Sequence, residues 1–157
     1  QNRAEIEVRE TERHFRRLMH RYHVPEKLWD YTFEYVAQLR RVIVRPGIEF
    51  RTPYEATTGQ TPDVSEFMHH ELFSWVYYYA PQPFPNSNES LGRWLGVAKN
   101  VEQSMCYWIL TITGKVIARS TVRVLTDEEL HSPVEKEKRE EFLVEQCNVL
   151  LKKLKFP

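Results

Sequence analysis

The first part of the chain alternates apolar and polar residues with the three-to-four-residue spacing of an amphipathic helix. Between positions 2 and 22 the less polar positions form one stripe: Ala4, Val8, Thr11, Phe15, Leu18 and Tyr22. Val24-Pro25 interrupts this pattern, and proline suits the first turn of a new helix because no backbone N–H is needed there. The spacing therefore predicts two helices, the second of which ends before Pro46-Gly47.

A short capped helix is predicted next, in the stretch RTPYEATTGQTPDVSEF that occupies positions 51–67. Thr52 can cap this helix, and Pro53 suits its first position. Glu55 lies three residues after the cap, and Gly59 can adopt the left-handed conformation that stops a helix. The stretch therefore predicts one and a half turns of helix inside a linker.

The second half of the chain has the β-branched and aromatic content of strands. Four stretches are predicted to be extended: 72–80, 92–100, 105–112 and 115–125. Thr113-Gly114 predicts a tight hairpin between the last two, and Gly92 and Gly96 lie where a strand must bend or pass another backbone closely. Short strands with turns this close predict a small closed antiparallel barrel.

From Ser132 the chain becomes helical again. The apolar stripe of this tail consists of Phe142, Leu143, Gln146, Val149, Leu150 and Leu154. We therefore predict an α+β fold with two N-terminal helices, a small antiparallel β-barrel and a C-terminal helix. The expected segments are helices in 1–50, a linker with a short helix in 51–71, the barrel in 72–126 and a helical tail in 127–157.

The composition is that of a globular protein, with 41% hydrophobic residues in a chain of 157. No apolar stretch approaches the roughly 18 residues of a membrane span, so we expect no membrane partner. Cys106 and Cys147 are too few for a disulfide framework or a zinc site. A reducing compartment is therefore expected, either the nucleus or the cytoplasm.

The net charge of zero conceals an uneven distribution of charged residues along the chain. Residues 1–51 carry 11 Lys or Arg against 8 Asp or Glu, whereas residues 52–130 carry 5 against 9. The arginine cluster thus lies entirely in the first segment. Any contact with nucleic acid is expected to concentrate there.

Several stretches, taken in chain order, resemble one known family. The catalytic core of copia-type retrotransposon integrases ends in a segment similar to QNRAEIEVRE (1–10), followed by a final helix similar to LWDYTFEYVAQLRR (28–41). The family's Thr-Pro-x-Glu-x-x-x-Gly-x-x-Pro segment is similar to residues 52–62, which is the most specific match. The barrel that follows has strands that resemble GRWLGVA, CYWIL and GKVIARSTVRVL. The resemblance covers roughly residues 1–126.

This resemblance implies a remnant of a ribonuclease-H-like core followed by a Src-homology-3-like barrel. It also implies the parent's reaction, a Mg²⁺-dependent DNA strand transfer in which three carboxylates hold two metal ions. By position, Glu5 would be the last catalytic and metal-binding carboxylate. The resemblance implies DNA contacts for six further residues: Asn2, Arg3, Arg9, Arg13, Arg16 and Arg17.

The chain departs from the family pattern near its beginning. The family usually has one more residue between the Asn and the Glu, and a Gly where Arg3 stands, so Glu7 is a second candidate for the role of Glu5. The other two carboxylates of the triad would come from strands that precede residue 1. We therefore expect Mg²⁺ to be a cofactor of the intact parent, and expect the chain alone to be inactive and to bind the ion weakly.

Two interpretations remain open at this point. In the first, the chain is the C-terminal fragment of an integrase polyprotein and retains DNA contact and assembly, with a homo-oligomer formed through the barrel or the C-terminal helix. The parent would then act in the nucleus or in a cytoplasmic virus-like particle, and Glu5 would be exposed on an open face. In the second, the chain is a non-catalytic protein-interaction module from a decayed or domesticated element. Glu5 would then pair with Arg9 at the surface, and the main groove would lie on the barrel.

Overall fold

Helices occupy the first part of the chain and strands the second in the computed structural model, which describes residues 2–99, 101 and 105–154. The side chains of residues 150–154 are outside this description, and with them the predicted stripe members Leu150 and Leu154. The predicted α+β class is confirmed by the elements found. The chain divides into two units, residues 1–73 and 74–157, close to the predicted start of the barrel segment at 72.

The first unit is built on two long helices. Helix α1 spans Arg3–Tyr22 and ends where His23 adopts a left-handed conformation with φ of 51°. Helix α2 spans Trp29–Val42 and follows a 3₁₀ turn at Glu26–Leu28. Phe15 of α1 and Phe33 of α2 meet edge to face, with their ring centroids 5.8 Å apart, so the two helices pack against each other.

The predicted apolar stripe on α1 is only partly covered. Ala4 and Val8 are exposed, and Thr11, Phe15 and Leu18 are half-buried. Helix α1 has no fully buried residue, because its partner α2 covers the C-terminal part of the stripe and leaves the first turns open.

The short helix predicted in the linker forms with the expected caps. Helix α3 spans Pro53–Thr58, Thr52 Oγ1 accepts a hydrogen bond from the Glu55 backbone N–H, and Gly59 ends the helix with φ of 73°. A second 3₁₀ turn at Pro46–Ile48 precedes it, and helix α4 at Ser65–Met68 follows it. Each cap is a contact within a few residues, which is why the sequence pattern predicts it well.

The second unit contains one antiparallel sheet of five strands. The strands are β1 at Trp75–Tyr79, β2 at Glu89–Val97, β3 at Tyr107–Thr111, β4 at Val116–Arg119 and β5 at Val122–Val124. Their order across the sheet is β4-β3-β2-β1-β5, so the last two strands in the chain lie at opposite edges. Three successive Cα–Cα steps from Arg119 to Val122 span at most about 11 Å, whereas the edges of a flat five-stranded sheet lie about 19 Å apart. The sheet must therefore curl toward a barrel.

The predicted single strand at 115–125 is divided in two by this curl. Ser120 and Thr121 connect β4 to β5, and the Thr121 carbonyl accepts a hydrogen bond from the Tyr79 N–H of β1, the strand that pairs with β5. The chain must change its pairing partner at this point, and a continuous strand cannot do so. The hairpin predicted at Thr113-Gly114 is present, with Gly114 at φ of 76°.

The C-terminal tail packs on the sheet through one face of a long helix. Helix α5 spans Asp127–His131 and helix α6 spans Pro133–Leu154. Phe142 is 1% exposed and meets Trp75 edge to face, with ring centroids 5.2 Å apart. The Gln146 side-chain amide donates to the carbonyl oxygens of Thr111 and Ile112, both at 2.7 Å. Leu143, predicted to belong to the same stripe, is instead about half exposed.

The helical tail begins at Asp127, at the start of the predicted tail segment 127–157 and before Ser132, where the helical pattern was expected to begin. Thr126 and Glu129 form a capping box at the start of α5. Within the described part of the chain, no helix is both long enough and apolar enough to cross a membrane.

Candidate functional site

Glu5 lies in the first turn of α1, where Asn2 fixes the start of the helix. The Asn2 side chain accepts a hydrogen bond from the Ala4 N–H at 3.1 Å and so caps the helix. Glu5 is exposed, and within the described residues its carboxylate has no hydrogen bond and no ion pair. An acidic group in this position is favoured by the positive end of the helix dipole. The carboxylate is thus open to solvent and available for contact.

Glu7, the second candidate, has a different environment. Its Oε2 accepts a hydrogen bond from Arg40 Nη2 at 2.7 Å and another from Arg45 Nη1. These two hydrogen bonds hold the pKa of Glu7 below its ordinary value. Arg40 and Arg45 are the more buried members, at 16% and 27% side-chain exposure. Glu7 is therefore the carboxylate that arginines surround, and its role in the described structure is to link α1 to α2.

Three of the predicted DNA-contacting arginines lie together with Glu5. Residues along a helix advance by about 100° each, so Glu5, Arg9, Arg13 and Arg16 fall within about 80° of one another. We call these four residues the outer face of α1. Arg13 pairs with Glu10 at 2.7 Å, and Arg16 pairs with Glu12 at 3.7 Å. Both pairs are exposed, so they hold the arginines weakly and can be exchanged for phosphates.

Arg3 and Arg17, the other two predicted arginines, lie on a different side of α1. Both line a groove between α1, α2 and α3 that has a volume of about 1160 Å³. Arg3 Nη2 also donates to the Gly47 carbonyl at 3.3 Å. The groove faces the side of α1 that carries Ala4, Glu7, Thr11, His14 and Leu18. The six predicted residues thus have three locations: Arg9, Arg13 and Arg16 lie on the outer face, Arg3 and Arg17 line the groove, and Asn2 caps the helix.

We call this feature the α1–α2 groove, and it contains arginines that sequence reasoning did not select. Arg40 and Arg41 come from the last turn of α2, and Arg45 comes from the segment after it. The Arg41 guanidinium lies over the Tyr54 ring at 5.2 Å from its centroid. The adjacent pair Arg40-Arg41 was visible in the sequence, but the approach of α2 to α1 was not.

The apolar part of the groove comes from both helices and from the second 3₁₀ turn. It consists of Leu18, Val36, Ala37, Leu39, Ile43, Ile48 and Pro53. Ile43 is 54% exposed, so part of this floor is open to solvent. The groove therefore combines aliphatic contact area with positive charge.

The residues present do not fit a Mg²⁺ pair. Among the described residues no group of three His, Cys, Asp or Glu side chains converges on one point. The Glu7 carboxylate is engaged by two arginines, and Glu5 has no second carboxylate to share a metal ion with. Mg²⁺ needs several hard oxygen ligands, so no metal-dependent step follows from these residues alone.

Comparison of the chain with protein-family models, with curated proteins and with solved structures finds no match.

Proposed function

We propose that the chain is the C-terminal part of a copia-type retrotransposon integrase, and that the outer face of α1 contacts DNA. The proposal rests on the resemblance of several stretches in the family's order. It is supported by the five-stranded sheet, whose strand order is that of a small Src-homology-3-like barrel. The observation that carries it is the outer face itself, on which an unpaired, exposed Glu5 stands beside three exposed arginines.

The parent enzyme would use Glu5 as one ligand of a two-metal site, with the other carboxylates supplied from outside this chain. The residues described here would supply Glu5 and the phosphate contacts. The proposal therefore assigns DNA contact to the chain and strand transfer only to the intact parent.

Within this proposal the outer face contributes through charge. Arg9 and Arg13 are four positions apart and Arg13 and Arg16 three apart, so their side chains are neighbours along the helix. Such a row can follow successive phosphates of one DNA strand. Asn2 acts through its cap, because its side-chain oxygen is already used by the helix.

The test is fluorescence anisotropy of the chain with a labelled DNA duplex over a range of salt concentrations. Three phosphate contacts give a slope of log K against log salt of about −2.7, since each contributes about −0.9. Replacing Arg9, Arg13 and Arg16 together by Gln is expected to bring this slope close to zero. A slope near zero for the unchanged chain would refute the proposal.

A charge-matched control separates specific contact from a general loss of positive charge. Lys115, Arg119 and Lys136 lie in the second unit and are all exposed. Their combined replacement by Gln removes the same charge and is expected to leave the slope unchanged. If both triple variants reduced the salt slope equally, DNA would bind without using the outer face.

A second candidate function is favoured by one observation, the aliphatic floor of the α1–α2 groove. An open apolar surface beside positive charge is typical of sites that bind another protein. The chain would then be a non-catalytic interaction module, as the second interpretation of the sequence holds, although this groove lies in the first unit and not on the barrel.

A further inference from the structure

The α1–α2 groove is strongly basic. Five arginines line it, namely Arg3, Arg17, Arg40, Arg41 and Arg45. Glu7 is the one carboxylate among the lining residues that the structure describes, and two of the arginines already contact it. Five positive charges against one negative charge leave a formal surplus of four. Complementarity of charge therefore favours an acidic occupant.

The aliphatic floor of the groove favours an acidic occupant that also has apolar side chains. Leu18, Leu39 and Ile48 provide half-buried aliphatic surface, and Ile43 projects further into solvent. Covering such side chains is favourable by roughly 25 cal/mol for each Å² of apolar surface removed from water. A phosphate or a ribose has no apolar surface to place there, whereas a Leu, Ile or Met side chain does.

The described lining residues of the groove offer a nucleic-acid base no large aromatic ring, and His14 is the one imidazole among them. Among the lining residues within the described ranges, none is Phe, Tyr or Trp. Proteins that bind single strands rely on such rings, each base contributing about 1–3 kcal/mol by stacking. The aliphatic floor and the basic rim together fit a protein segment better than they fit a nucleic acid.

The groove, with a volume of about 1160 Å³, has room for one side of a short helix about 10 Å in diameter. An amphipathic helix would present apolar residues at intervals of three and four positions to the floor. Its flanking positions would then face the rim of the groove.

Several of the arginines are already held in position. Glu7 fixes Arg40 and Arg45, the Gly47 carbonyl accepts from Arg3, and the Tyr54 ring supports Arg41. A ligand that meets side chains ordered in advance loses less conformational entropy on binding. Arg17 and Arg41 remain exposed and can pair with incoming carboxylates.

We infer that the α1–α2 groove binds an acidic amphipathic helix of a partner protein, with its apolar side on Ile43 and its neighbours and its carboxylates on Arg17 and Arg41. Most of this surface lies on the side of α1 away from the outer face, although Arg17 follows Arg13 by about one turn. The peptide and DNA assays change different arginines, so either proposal can fail without the other.

The test uses the full chain and a fluorescein-labelled synthetic peptide of about four helical turns. The peptide carries Leu at positions i, i+3 or i+4, and i+7, with Glu on both flanks, and its analogue carries Gln in place of Glu. Saturable binding of the Glu peptide is expected by anisotropy, with the Gln analogue about tenfold weaker. The double variant Arg17→Gln, Arg41→Gln is expected to weaken binding of the Glu peptide about tenfold, which corresponds to about 1.4 kcal/mol.

Two matched controls make the result specific. The double variant Arg9→Gln, Arg16→Gln removes the same charge from the outer face and is expected to leave peptide affinity within about twofold. Ile43→Ser removes exposed apolar surface and is expected to lower the affinity for the Glu peptide several-fold, without changing the affinity for DNA. The circular dichroism spectrum of each variant checks that the helices are retained.

Three outcomes would overturn the inference. The first is no saturable binding up to about 1 mM peptide. The second is equal affinity for the Glu and Gln peptides together with no effect of the groove variants. The third is loss of DNA binding in the Arg17, Arg41 variant with the peptide unaffected, which would make the groove a nucleic-acid site. The DNA assay with outer-face variants reports separately on the proposed function.

Discussion

Arg40 Nη2 donates a hydrogen bond of 2.7 Å to Glu7 Oε2, joining two helices across 33 positions of sequence. Arg45 donates to the same oxygen and, through its Nη2, to the Arg40 carbonyl at 3.1 Å. One carboxylate therefore fixes α1, the end of α2 and the segment that follows. Together with the contact between Phe15 and Phe33, this link ties α1 to α2.

Glu7→Gln is expected to destabilise the first unit by about 1 kcal/mol, because it removes the charge that two half-buried arginines share. The figure is modest since the Glu7 side chain is 46% exposed and solvent screens the pair. Hydrogen exchange of the α1 amides at neutral pH measures the change. Glu5→Gln is the matched control, and its effect is expected to stay below about 0.5 kcal/mol because Glu5 has no partner among the described residues.

The same link predicts how the first unit responds to acid. The pKa of Glu7 is lower in the folded chain than in the unfolded chain. Glu7 therefore contributes fully to the stability of the fold when the pH is above its unfolded pKa of about 4.3. That contribution is lost as the pH falls through the folded pKa. The difference in exchange rate between the unchanged chain and Glu7→Gln should thus shrink as the pH drops below about 4. A constant difference across this range would show that charge plays no part.

Arg123 forms a second link that is expected to be sensitive to acid, within the second unit. It donates to both oxygens of Glu89 and both oxygens of Glu129, at 2.7 to 2.9 Å, and lies over the Tyr77 ring. Hydrogen bonds from Arg123 lower the pKa of Glu89 and lower that of Glu129 to about 2. Stability from these pairs is present above about pH 4.3 and lost as the pH falls toward 2.

Arg123→Gln is accordingly expected to lower the melting temperature of the second unit at pH 7 and to flatten its decline between pH 4.5 and pH 2. The expected loss of unfolding free energy at neutral pH is about 1 kcal/mol, because Arg123 is 40% exposed and solvent screens its ion pairs. Arg119→Gln is a suitable control, because Arg119 is exposed and bonds only to the neighbouring Ala118 carbonyl among the described residues. An equal change in both variants would mean that the pairs with Glu89 and Glu129 add nothing.

The sequence predicted the features that are decided by near neighbours. The caps at Thr52 and Gly59 and the hairpin at Gly114 all involve contacts within a few residues, and all are present. The curled sheet also agrees with the predicted barrel. The tail segment was predicted to begin at 127, and α5 begins there. The capping box of Thr126 and Glu129 was visible as Thr-x-x-Glu, but the helical pattern was recognised only from Ser132.

The arrangement of the candidate site depended instead on distant contacts. Glu7 lies three positions after Ala4 and four before Thr11, so the helical period alone placed it on the side that faces α2. Its partners Arg40 and Arg45 could not be identified without knowing how α2 packs on α1. Arg16 and Arg17 are about 100° apart because of the helical period, and the packing of α2 decides that Arg17 is the one that lines the groove.

Phe142 is expected to contribute most of the energy that holds α6 on the sheet. It is 1% exposed and packs against Trp75, so Phe142→Ala leaves a cavity and should cost about 3–5 kcal/mol. The adjacent Leu143 is 48% exposed, and Leu143→Ala should cost less than about 1 kcal/mol. Urea denaturation followed by tryptophan fluorescence compares the two. Similar costs would mean that α6 is not docked through Phe142.

Gly92 is a position in β2 where an added side chain would meet atoms of the neighbouring strand. A Cβ there would lie 2.6 Å from Ile109 Cγ2 and 3.0 Å from the Leu110 carbonyl oxygen, and the carbonyl belongs to the paired strand and cannot move aside cheaply. Gly92→Ala should therefore destabilise the second unit by about 1–3 kcal/mol through overpacking.

Gly59→Ala isolates the other cost of replacing glycine, because φ is 73° and no atom lies within 4 Å of the added Cβ among the described residues. It should cost the first unit about 1 kcal/mol through backbone strain alone. Thermal melting measures how far each variant lowers the melting temperature relative to the unchanged chain. An unchanged melting temperature for Gly92→Ala would contradict the close approach of β2 and β3.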